Sequence, residues 1–327
     1  MPVLLWAHPS WGIVVDDEGN IYFTDITHNE RGSVWKLTSE GELILLLGDF
    51  HAHNVSLDGN GNLITAHGEG THTMVRLSKT GEMDTLYHTL DHKTFFGGNC
   101  AYSNSEGIVF GIEKRFWKID KDGNRQSVSD HVFEWNQSIY VDDDGNYYGP
   151  DIGKGNSSIV KIEASGNAKT IATNLISKQP FDPHSDVLLG ITKDDKGTIY
   201  VAETAGQRIL KIGEDTLVET FYVSEADWFP TGIDFHNGNA FILEFKTKNG
   251  RAGPRITKVG ASGEVIRIFD YGSYEKNRSK PVGTRHEKNR NGFWLYVVFG
   301  SFIFLLLFIW VRVARFKKLR SLHDGNY

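Results

Sequence analysis

The chain has 327 residues, with 35 Gly, 20 Phe, 12 Tyr and 8 Trp against only 8 Pro and 3 Met, and a formal charge of −6. Many glycines with many aromatics suit short strands and tight turns better than long helices. The acidic balance, with no basic domain before residue 276, argues against a nucleic-acid partner.

The start, "MPVLLWAHPSWG", has no basic n-region, and its apolar run is too short for a secretory signal. From residue 12 onward one unit recurs six times. It opens with a small or polar residue and a short apolar strand: "GIVVDD" (12–17), "NVSLDG" (54–59), "NCAYSN" (99–104), "SIYVDD" (138–143), "GITKDD" (190–195) and "GIDFHN" (232–237). The openings lie 42, 45, 39, 52 and 42 residues apart. A Gly-rich turn leads to a second strand: "IYFTD", "LITAH", "IVFGIE", "YYGPD", "IYVAET" and "AFILEF". A third strand sets a basic residue among apolar ones: "VWKL", "MVRL", "FWKI", "IVKI", "ILKI" and "ITKV". A fourth follows a second turn, as in "SEGELILLL" and "ASGEVIRIF".

Period-2 alternation bounded by Gly, Asp and Asn turns predicts strands, and four strands per unit of about 40–50 residues is the signature of a propeller blade. The expected fold is all-β, a six-bladed β-propeller with four-stranded blades over residues 1–270. Closure of the ring is open at this stage. "VLLW" (3–6) precedes the first unit as "ILLL" (44–47) precedes the second, yet "EVIRIF" (264–269) claims the same outer place. Cys100, the only cysteine, falls in an inner strand and reads as a small core residue. "DGNGN" (58–62) and "DDDGN" (142–146) resemble the opening of a calcium loop, but neither has flanking helices or a closing Glu. The repeat makes them hairpin turns.

After the propeller, 271–292 reads as a polar, basic tether. "FWLYVVFGSFIFLLLFIWV" (293–311) is 19 residues without a charge, about 28 Å as a helix and enough to cross a bilayer. Trp294, Tyr296 and Trp310 lie near its ends, where amphipathic rings favour the interface. A short basic tail, 312–327, completes the chain. The expectation is a single-pass C-terminal membrane anchor. Six basic residues before the span and five after it leave either orientation open, and the lack of a signal favours a cytoplasmic propeller.

"GTIYVAETAGQRILKI" (197–212) resembles an NHL repeat, and the whole array is similar to the NHL and SMP-30/gluconolactonase-like six-bladed propellers. "IYFTD" (21–25) and "VAET" (201–204) are similar to the strictosidine-synthase-like branch. The resemblance implies the fold over about 260 residues. It does not fix a function, because such folds host lactonases, a lyase and interaction modules alike.

Propeller geometry places the starts of the inner strands and the ends of the second strands on one face. Around the channel mouth it predicts His53, Asn54, Asn99, Gln137 and Thr231. Farther out it predicts a rim of Asp25, His67, Glu113, Asp151, Glu203 and Glu244. The rim acids suit structural roles, such as a pair between Glu203 and Arg208, and as a ring they would attract cations. The mouth residues suit ordered water, a small ligand or protein, or a divalent cation held by His53, Asn54 and Asn99. The resemblance to SMP-30-like enzymes implies a divalent ion held by Glu at one inner-strand start and by Asn or Asp at others. Here Ser10 and Trp11, Leu188 and Leu189, and Pro230 and Thr231 stand at such starts; only Asn54, Asn99, Asn136 and Gln137 keep amide character, without a carboxylate. The leading expectation is therefore a membrane-anchored propeller that binds a ligand or protein at its polar face. The alternative is a metal-dependent lactone or ester hydrolase with His53 as ligand or base.

Overall fold

The computed structural model describes residues 10–29, 31–120, 122–153, 155–181, 187–246 and 252–278. They form six four-stranded antiparallel sheets, each contiguous in sequence and ordered as the chain runs. Blade 1 holds β1 (Ile13–Val15), β2 (Ile21–Asp25), β3 (Ser33–Leu37) and β4 (Leu43–Gly48); blade 2 holds β5 (Val55–Leu57), β6 (Leu63–His67), β7 (His72–Leu77) and β8 (Met83–Thr89). Blade 3 holds β9 (Cys100–Ser103), β10 (Gly107–Ile112), β11 (Arg115–Ile119) and β12 (Arg125–Ser127); blade 4 holds β13 (Tyr140–Val141), β14 (Tyr147–Gly153), β15 (Asn156–Ile162) and β16 (Ala168–Thr173). Blade 5 holds β17 (Leu188–Lys193), β18 (Ile199–Glu203), β19 (Arg208–Ile212) and β20 (Val218–Val223); blade 6 holds β21 (Phe229–His236), β22 (Asn239–Lys246), β23 (Ala252–Val259) and β24 (Val265–Asp270).

Alternation puts successive side chains on opposite faces of a blade, and both faces are covered. In β18, Ile199 and Val201 pack toward blade 4, whereas Tyr200 and Ala202 pack toward blade 6. In β2, Ile21 and Phe23 pack against blade 6, and Tyr22 against blade 2. Each junction between neighbouring blades has its own apolar cluster, including the junction of the last blade with the first. The ring thus closes by packing. Ile13, Val15, Phe23 and Trp35 of blade 1 meet Phe241, Leu243, Phe245 and Ile256 of blade 6. β24 occupies the outer place of blade 6, and "VLLW" (3–6) lies outside the described residues.

The turn between first and second strands explains the acidic loops. Asp16, Asp58, Asp142 and Asp194 each accept the backbone N–H four residues on, at 2.8–2.9 Å, and Asp120 does the same between the third and fourth strands of blade 3. Gly61 supplies the positive φ (74°) that the "DGNGN" hairpin needs. Burial pushes the Asp58 carboxyl up, but donors from Asn62 and Asn60 outweigh it and hold it below its ordinary value. Between third and fourth strands the register shifts in five blades, bulges that add twist at the outer edge. Cys100 is buried in the core, its thiol pushed up to about 12 by burial, as an inert packing residue should be.

The chain departs from the expected tether at once. A helix, α1 (Tyr271–Arg278), follows β24, and the compact unit containing the propeller runs to Glu275. Tyr271 explains the difference. Its ring stacks on His28 at 4.0 Å and meets Trp35 edge-on at 6.0 Å, so the polar composition of the segment hides an aromatic anchor. The apolar stretch 293–311 lies outside the described residues, and among those described no helix is long and apolar enough to cross a membrane.

Candidate functional site

The rim residues are tied into the blades one by one. Asp25, fully buried, accepts Thr27 N–H at 2.8 Å and the Thr27 hydroxyl at 2.6 Å, and faces His28 Nδ1 at 2.6 Å. Glu203 accepts Ser177 N–H and O–H at 3.0 Å each and Gly206 N–H at 2.9 Å, and pairs with Arg208. Glu244 takes a bidentate pair from Arg255 at 2.6 and 3.0 Å, with the Thr257 hydroxyl at 2.6 Å. Arg255 is itself only 1% exposed, and its guanidinium lies 4.1 Å from the Trp228 ring centroid. Such a fork is strong when both partners are buried together. Asp151 accepts Glu134 N–H at 2.7 Å. His67 packs edge-on to Phe50 at 5.2 Å, and burial pulls its pKa down. Glu113 differs. It sits just past β10 at positive φ (52°), with its side chain 60% exposed and Arg125 3.9 Å away.

The mouth residues fall into two groups. On the side of blades 5, 6 and 1 the backbones nearly touch. A Cβ on Gly232 would lie 2.2 Å from the Trp11 carbonyl oxygen, and one on Gly190 would lie 2.7 Å from Gly232 Cα. Trp11, Val187 and Leu189 form an apolar cluster there, and Thr231 turns its hydroxyl to the Leu243 carbonyl at 3.4 Å. On the side of blades 2, 3 and 4 stand the amides. Asn99 donates to Asn136 Oδ1 at 2.9 Å, and Asn136 donates to the carbonyls of Pro150 and Ser138 at 2.8 and 3.0 Å. Asn54 donates to the Cys100 carbonyl at 3.2 Å, and Gln137 is buried next to Asn136 in the chain. The Oδ1 atom of Asn99 is buried with no hydrogen-bond partner. His53 is buried against Trp11, ring centroids 5.1 Å apart, and its Nε2 lies 3.0 Å from His51 Nε2. A cavity of about 10 Å³ between blades 2 and 3, lined by Asn54, Ser56, Thr65 and Tyr102 among others, has room for about one water.

One group lies outside the predicted set. Asp234 of β21 accepts Val15 N–H of β1 at 2.8 Å and a bond from Thr192 of β17, and burial pushes its pKa up to about 7. It joins three inner strands from blades 6, 1 and 5. An acid between Ile233 and Phe235, in a strand otherwise set by alternation, was the available signal.

No family model matches the sequence, and no curated protein does. Among solved structures, virginiamycin B lyase from Staphylococcus aureus superposes with a TM-score of 0.53 at 17% identity, covering 79% of this chain and 83% of that one. A calcium-binding protein, regucalcin, from Agrobacterium tumefaciens gives 0.52 at 13%, covering 72% and 83%. Luciferin-regenerating enzyme gives 0.53 at 15%, with the same coverage. The likeness is one of fold. It agrees with the resemblance to SMP-30/gluconolactonase-like propellers read from the repeats. A calcium ion of the kind regucalcin's name implies does not fit this mouth. Ca²⁺ takes six to eight oxygens with carboxylates among them, and the mouth offers neutral amides. Among the described residues no three His, Cys, Asp or Glu side chains come together as a metal-ligand group.

Proposed function

We propose that this chain is a membrane-anchored propeller whose amide-lined half-mouth, over blades 2 to 4, binds a small polar ligand or the polar tip of a protein partner. The observation that carries the reading is Asn99, 5% exposed, with its amide N–H committed to Asn136 and its carbonyl oxygen left without a partner. A buried acceptor without a donor is costly, and a ligand N–H or O–H would relieve it. The rim supports the same reading, because Asp25, Glu203 and Glu244 spend their oxygens inside the fold rather than standing free as base or nucleophile. The membrane part of the proposal rests on the uncharged stretch 293–311.

A panel of polar metabolites screened by thermal shift, followed by pull-down from membranes, tests the binding role. Hits should disappear in Asn99→Ala and in the double variant His53→Ala with Asn99→Ala, while both still melt cooperatively. Hits that survive Asn99→Ala would remove the half-mouth from consideration. A lactone and ester panel run with and without chelator tests the hydrolase alternative, and stoichiometric metal with chelator-sensitive turnover would replace the binding role. Alkaline extraction tests anchoring: the full chain should stay with membranes and a chain ending at 275 should not.

A further inference from the structure

The segment "HAH" (51–53) links β4 to β5, and its first and third side chains meet while the second is turned into the core. Ala52 is fully buried in the cluster between blades 1 and 2, and both imidazoles project to the opposite side. Their Nε2 atoms are 3.0 Å apart and their ring centroids 4.8 Å apart, with the planes at 70°. A straight N–H···N bond between two imidazoles would set the centroids about 5.3 Å apart. The shorter distance means that the two nitrogen axes are not collinear, and axes that converge on one point satisfy it. Two bonds of about 2.0–2.1 Å to one ion, meeting at about 95°, would put the nitrogens close to 3.0 Å apart and the centroids near 4.7 Å.

The other nitrogen of His51 fixes its tautomer. Nδ1 faces the Arg31 carbonyl at 3.2 Å and Glu69 Oε2 at 3.3 Å. Both partners are acceptors, so Nδ1 carries the proton and Nε2 presents a lone pair to His53. A ligating histidine is held in this way, its outer N–H given to a carbonyl or carboxylate. Trp11 against the His53 ring fixes the second imidazole by packing. His51 is 12% exposed at its side chain, which leaves a path from solvent to the pair.

We propose that His51 and His53 form a two-imidazole site for a first-row divalent transition ion, with solvent filling the remaining positions. An angle near 95° suits cis positions of a tetragonal or octahedral ion, so Ni²⁺ and Cu²⁺ fit better than tetrahedral Zn²⁺. Glu69 and the Arg31 carbonyl act as positioning groups through His51. The site shares His53 with the mouth but not Asn99: Asn99→Ala leaves every one of these groups in place and His51→Gln spares the amides, so the two readings fail separately.

Tag-free full-length protein in detergent, dialysed against NiCl₂, should take up one Ni²⁺ per chain. Loaded with Cu²⁺ instead, its electron paramagnetic resonance spectrum should show two imidazole nitrogens. His51→Gln, at a partly exposed position, should abolish stoichiometric Ni²⁺ uptake with the melting temperature retained, and His53→Ala should do the same. Glu69→Gln should weaken binding about 10-fold, and His88→Ala, on β8, should change nothing. If His53→Ala fails to fold, the decision falls to His51→Gln and the nitrogen count. Absence of stoichiometric Ni²⁺, uptake that survives His51→Gln, or a spectrum with a single nitrogen would each overturn the site.

Discussion

The two halves of the channel mouth are built from the same repeat and do opposite things. Over blades 5, 6 and 1, Gly190, Gly232 and Trp11 bring backbones within contact of one another, and Trp11, Val187 and Leu189 pack as a buried apolar cluster. Over blades 2, 3 and 4 the backbones of Gly68 and Gly98 also approach closely, but Asn54, Asn99 and Asn136 link the strand starts by amide hydrogen bonds. The first half is held by packing, and the second holds the polar groups to which the proposed binding role is assigned. Sixfold repetition therefore fixes the scaffold, and the breaks in repetition at the strand starts carry the individuality of the molecule.

The comparison breaks most sharply at Gly232. Gly232→Val should unfold the chain or shift its midpoint by more than about 4 kcal/mol, because the new Cβ meets a backbone oxygen that cannot move aside. Urea unfolding followed by tryptophan fluorescence reads this directly, and a near-native midpoint would mean that the closed half is softer than its geometry. Arg255→Ala comes next. It strands Glu244, fully buried, without its bidentate partner, and losing one member of a buried pair costs about 3–5 kcal/mol. On the open half the effects should be smaller. Asn136→Ala removes two donors to backbone carbonyls and the acceptor of Asn99, at about 2–3 kcal/mol, and should weaken any ligand that Asn99→Ala weakens. Equal losses at Gly232 and Asn136 would erase the distinction between the halves.

The scaffold was readable because each blade writes its pattern four times over. The alternation of Ile21, Tyr22 and Phe23, the Asp-to-Asn turn at 58–62 and the basic position in every third strand all report the same geometry. The pair of Glu203 with Arg208 was readable for a similar reason, since both residues face each other across one hairpin. Glu244 with Arg255 has the same register and could have been found by the same comparison. The mouth was harder to read. Whether Asn99 meets Asn136, and whether His53 meets His51 or an axial ligand, depends on how neighbouring blades tilt, and no periodicity encodes that. α1 was missed because Tyr271 is an aromatic in a polar run, and its partners His28 and Trp35 lie some 240 residues earlier in the chain.

The subtlest difference between the halves is electrostatic and concerns Asp234. This carboxyl ties blade 6 to β1 and β17 on the closed side, whereas the open side has amides, which do not titrate. Burial raises its pKa in the fold from the ordinary carboxylate range to about 7. A raised carboxyl pKa means that the folded state holds its proton longer than the unfolded chain does, so stability falls as pH rises from about 4 to about 7 and is level on either side. Asp234→Asn keeps an acceptor for Val15 N–H and has no charge to bury. It should match the parent chain near pH 4 and exceed it by about 2 kcal/mol at pH 8, a figure discounted for the partial exposure of the carboxyl. Denaturation midpoints across that range decide the matter. Parallel curves for the two proteins would mean that Asp234 ionises freely and that the closed half is held by packing alone.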